Sequence, residues 1–129
     1  MKRALLVLVA AGCADPEWAA PPPRDGLVEA ALAEAPPIER GAALWRQRCK
    51  TCHGDTGLGD GFNAGLLASR PPAVAAIVAR LPGERLEEAV RRGSRAGGHS
   101  PQCPPWLAVL GEAGVKDAAE HLRRLAKER

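Results

Sequence analysis

The chain has 129 residues, a formal net charge of +3, four cysteines, three Trp, one Phe and no Tyr. That length allows one domain and a tail, and so few large aromatics leave an ordinary core short of apolar mass. Basic residues spread along the chain without interleaved aromatics exclude a nucleic-acid surface. A core completed by a bound apolar cofactor fits the shortfall.

Residues 1–12 read as an export signal. Met1-Lys2-Arg3 is a positive start, and the apolar run from Ala4 to Ala11 is too short for a spanning helix, which needs about 20 residues. The run closes on Ala10-Ala11-Gly12-Cys13, which resembles a bacterial lipoprotein signal, with Cys13 lipidated and left as the new N-terminus. Ordinary secretion with cleavage nearby is the alternative. Either way the mature protein is expected outside the cytoplasm, and the first reading puts it in the bacterial periplasm on a lipid anchor. Residues 13–37 carry a net −4 and hold Pro21-Pro22-Pro23 and Pro36-Pro37. Proline runs stiffen a chain into a spacer, so this stretch is expected to be a tether.

From residue 38 to 129 the net charge is +5 and the apolar spacing is helical. Ile38 to Arg48 follows two prolines, which suit a helix start, and places Ile38, Ala42 and Trp45 three or four apart. Glu84 to Arg92 is a second predicted helix with Gly93 as its cap. Val115 to Lys127 is the third, with Val115, Ala118, Ala119, Leu122, Leu125 and Ala126 in one stripe and basic residues at its end. No segment alternates like a strand. The predicted class is all-α, and the surplus of positive charge is either a solvated surface or a steering field for an acidic partner.

Between the first and second helices lies Cys49-Lys50-Thr51-Cys52-His53, the Cys-x-x-Cys-His pattern of covalent haem attachment. Two cysteines at this spacing can each add to a vinyl group of one porphyrin, and the adjacent histidine can turn its imidazole to the iron. Half of a zinc site completed by Cys103 and His99 or His53 is one competing reading. A redox dithiol is another, but it calls for a βαβ context that the helical pattern lacks. The expected cofactor is a single covalently bound haem c, with Cys49, Cys52 and His53 as its anchors.

Residues 38–129 resemble the class I c-type cytochromes. Gly41-x-x-Leu44-Trp45-x-x-x-Cys49 is similar to the family's first helix running into the haem motif, and His53-Gly54-x-x-Gly57-x-Gly59-Asp60-Gly61 to its glycine-rich loop. Arg70-Pro71 resembles the segment whose proline carbonyl accepts a hydrogen bond from the proximal histidine. The stretch from Pro104-Pro105-Trp106 to Gly114-Val115-Lys116 resembles the cytochrome c domains of haem–copper oxidases. The resemblance implies a cytochrome c fold of three main helices around the haem, with a Pro71 bond fixing His53. It also implies a packing role near Trp45 for His121.

One part of the family pattern is missing. The family's distal iron ligand is the Met of a Met-Pro pair before the last helix, and this chain has only Met1, inside the export signal. Cys103-Pro104 stands at the matching place. Cys103 as distal ligand, His99 four residues earlier, or an open distal side are the three expectations. Thiolate ligation would lower the haem potential, where Met would raise it. The leading functional expectation is a tethered, monomeric single-electron carrier. It would exchange electrons with exported redox proteins or a membrane respiratory complex. A redox enzyme acting on small sulfur compounds and a haem-based sensor are the alternatives.

Overall fold

The structure, a computed structural model, describes residues 33–94 and 102–128. Cys13, the export signal, most of the tether and His99 lie outside the described residues. Those that are described form helices joined by loops, with no strand among them, so the all-α expectation holds.

Helix α1 spans Pro37–Leu44, with proline in its first turn, where a missing N–H costs nothing. It runs on without a break into a π-turn, Trp45–Cys49, and then into a short helix α2, Lys50–His53. A 3-10 turn at Ala64–Leu66 follows the loop, and α3 spans Val74–Arg80. Helix α4 covers Glu84–Arg92 and stops at Gly93, whose φ of 72° suits glycine. The last helix, α5, covers Leu107–Lys127, broken once at Gly111 (φ 65°). The predicted first helix is therefore α1 plus the π-turn, the second is α4, and the third is the part of α5 beyond the Gly111 break. Helix α3 and the opening turn of α5 add to the predicted set.

Helix α5 is the hub, packing against α1, α3 and α4. Where α1 crosses it, a Cβ on Gly41 would collide with the Asp117 carbonyl, so only glycine lets the two backbones come this close. The crossing is locked by Arg40, whose Nε and Nη2 reach the two Asp117 carboxylate oxygens at 2.6 and 3.2 Å. Arg40 Nη1 also donates to the Ala35 carbonyl at 2.6 Å, tying the last residues before α1 to the fold. Arg123 holds α4 to α5 through the Gly83 carbonyl (3.0 Å) and Glu87 (3.1 Å).

Few large side chains are buried. Leu86, Val74 and Val115 are the largest enclosed ones, with Trp45 and several alanines beside them. Phe62 and Leu66, just after the motif, remain 93% and 81% exposed. A protein shell this thin is what the shortage of aromatics predicts. No helix among the described residues is long and apolar enough to cross a membrane.

Candidate haem site

The π-turn delivers the motif. Its extra residue makes the Lys50 N–H donate to the Trp45 carbonyl five positions back, so Cys49 enters α2 one position later than a regular helix would place it. Cys49 and Cys52 are both half-buried free thiols. Burial, then the nearby Cys103 and Cys52, push the Cys49 thiol up to about 12. It therefore stays protonated at neutral pH.

His53 ends α2. Burial lowers its pKa, so the ring is neutral, the form that ligates metal. Nδ1 is buried and makes no hydrogen bond. The bond to the Pro71 carbonyl that the family resemblance implies is therefore not made in this structure. The Pro71 carbonyl lies instead against Gly59, where a Cβ would strike it. Gly59 in turn donates its N–H to the His53 carbonyl at 2.8 Å. With a φ of 79° and no room for a Cβ, Gly59 is the contact that brings the Pro71 segment alongside the motif.

The Trp45 ring packs near two imidazoles, its centroid 5.8 Å from that of His53 and 5.7 Å from that of His121. Its Nε1 donates to the Asp55 carbonyl at 3.2 Å, anchoring the loop after the motif. His121 packs near Trp45 as expected, with both ring nitrogens buried and unpaired. Its pKa is lowered by burial first and then by Arg124 and Arg46, with Glu128 pulling the other way.

Cys103 lies close enough to Cys49 and Cys52 for the three sulfurs to affect one another electrostatically. Ser94, just beyond α4, holds the Cys103 backbone from both sides. Ser94 N–H donates to the Cys103 carbonyl (3.1 Å), and Cys103 N–H donates to Ser94 Oγ (3.1 Å). Gly93 makes that approach possible, because a Cβ there would collide with the Cys103 and Pro104 backbone. Burial is the largest influence on the Cys103 thiol and pushes it up, with Trp106 and Ser94 pulling the other way. The Ser94–Cys103 bonds leave no signature in the sequence. A cleft of about 340 Å³ beside Lys50, Asp55, Asp60 and Phe62 has none of these cysteines in its lining.

The donor set fits a covalently held haem. It offers two thiols at attachment spacing, a neutral imidazole with one orphaned buried nitrogen, and exposed apolar side chains at Phe62 and Leu66 soon after the motif. A helical shell built around such a motif defines a c-type cytochrome domain. A family model described as cytochrome c oxidase, cbb3-type, subunit III, matches residues 36–122, and the chain belongs to that family. It accordingly binds covalently attached haem c and takes part in haem-based electron transfer. No curated protein matched the chain.

Proposed function

We propose that this protein is an exported, lipid-anchored monohaem cytochrome that passes single electrons between exported redox partners or to a membrane respiratory complex. We further infer that its haem iron is held by His53 and Cys103 at low potential. The single observation that carries the ligand assignment is the place of Cys103-Pro104, before the last helix where the family has its Met-Pro pair, on a backbone held by Ser94 at 3.1 Å.

Bound haem c supplies a one-electron Fe(III)/Fe(II) couple. Cys49 and Cys52 would hold it through thioethers, and neutral His53 would ligate through Nε2, leaving Nδ1 on the protein side. Cys103 would supply the distal thiolate from a loop strapped to α4 by Ser94. Met and thiolate ligands pull the potential in opposite directions, and the accessible range for axial-ligand choice is about 0.8 V. A thiolate therefore supports a low-potential carrier. The anchoring and periplasmic location rest on the signal-like start that ends at Cys13 and on the proline-rich residues 13–37.

Optical spectra and potentials of the purified protein beside Cys103→Ala and His99→Ala test the assignment. Cys103→Ala is expected to change both, and His99→Ala neither. The reverse pattern would hand the distal position to His99.

A further inference from the structure

The two residues that leave α4 grip Cys103. Gly93 N–H donates to the Ala89 carbonyl at 2.9 Å, so the chain there is still fastened to the helix. A Cβ on Gly93 would collide with the Cys103 and Pro104 backbone, and its φ of 72° suits glycine. Ser94 comes next and meets Cys103 three times. Its N–H donates to the Cys103 carbonyl (3.1 Å), its Oγ accepts the Cys103 N–H (3.1 Å), and its hydroxyl also reaches the Cys103 carbonyl (3.5 Å). Both main-chain polar groups of Cys103 are therefore bound to one residue.

The sulfur itself is held weakly, through a long contact to the Pro104 carbonyl at 3.9 Å. Its place is set by its backbone. Pro104 and Pro105 carry no N–H, so Cys103 offers the last main-chain donor before Trp106. Trp106 N–H in turn donates to the Val90 carbonyl at 3.3 Å. Residues 103–106 are thus pinned to the end of α4 at both ends, and the two prolines stiffen the link between. Withdrawing the Cys103 main chain from the haem requires the Ser94 bonds to break.

We propose that Ser94 is a positioning residue for the distal ligand: its hydroxyl holds the Cys103 main chain to the end of α4, keeps the sulfur at the iron and so closes the distal side to outside ligands. This rests on the reading of Cys103 as the iron's distal ligand.

An outside ligand binds only those molecules whose distal side is open, so its apparent affinity rises with that fraction. The test is imidazole binding to the ferric, haem-loaded full chain at fixed pH, followed optically in wild type, Ser94→Ala, Ser94→Thr and Cys103→Ala. Ser94→Ala removes the acceptor and keeps the backbone bond. It should retain the wild-type resting spectrum and bind imidazole about fivefold more tightly, the weight of one hydrogen bond. Ser94→Thr keeps the hydroxyl and should return the affinity to near that of wild type. A merely structural role would lower the thermal midpoint of Ser94→Ala without tightening imidazole binding. Unchanged imidazole affinity in Ser94→Ala, with Cys103→Ala still altering the resting spectrum, overturns the proposal and leaves the ligation reading standing. Ser94→Thr binding imidazole as tightly as Ser94→Ala does the same. A Cys103→Ala spectrum identical to wild type overturns both.

Discussion

At the residue scale, the proposed axial sulfur of Cys103 and the buried imidazole of His121 lead to separate expectations. Replacing Cys103 by Met restores the Met-Pro pair of the wider cytochrome family, and should raise the midpoint potential by on the order of hundreds of millivolts. A redox titration reads this directly. His121 has no hydrogen-bond partner for either ring nitrogen and a lowered pKa. The folded state therefore binds its proton less readily than the unfolded chain, whose histidine titrates near 6.5. That contribution to stability is present above the unfolded pKa and is lost as the pH falls through the folded one. Denaturant unfolding at a series of pH values should show wild type losing stability below about pH 6.5. His121→Phe, which keeps the ring against Trp45, should lose less over the same interval.

At the scale of elements, legibility followed the range of the physics. The motif could be read because two thioethers and one axial bond to a single porphyrin demand adjacent residues in a fixed order. Helix α4 could be read because its apolar Leu86, Ala89 and Val90 fall three or four apart among charged residues and Gly93 ends it. Helix α3 could not: Val74-Ala75-Ala76-Ile77-Val78-Ala79-Arg80 has no polar face until its last residue. The Gly111 break hid the opening turn of α5, and the π-turn is a one-residue adjustment between α1 and α2 that no periodicity announces. The hydrogen bonds between Ser94 and Cys103 join loop residues across space, so spacing alone is silent on them. Truncating Leu86, 1% exposed between α4 and the rest of the core, should cost about 2–5 kcal/mol in chemical denaturation. Asp117→Ala, which leaves Arg40 without its bidentate partner at the α1–α5 crossing, should lower the thermal midpoint more than Glu120→Ala, whose pair with Arg123 at 3.4 Å is exposed.

On the whole-molecule scale, a small apolar core, a haem-attachment motif and a preceding proline-rich stretch fit a carrier whose domain is completed by its cofactor. The family match over residues 36–122 covers the domain and leaves the signal-like start and most of the tether outside it. If Cys13 carries the anchor, Cys13→Ser should move the protein from the membrane fraction to the soluble periplasmic fraction with its haem content unchanged, read by fractionation and haem staining. The central claim is the identity of the iron's two axial ligands. X-ray absorption fine structure at the iron edge of the ferric protein tests it most directly. The account predicts a sulfur scatterer in the first coordination shell that disappears in Cys103→Ala. A first shell of nitrogen alone in the wild-type protein would contradict it.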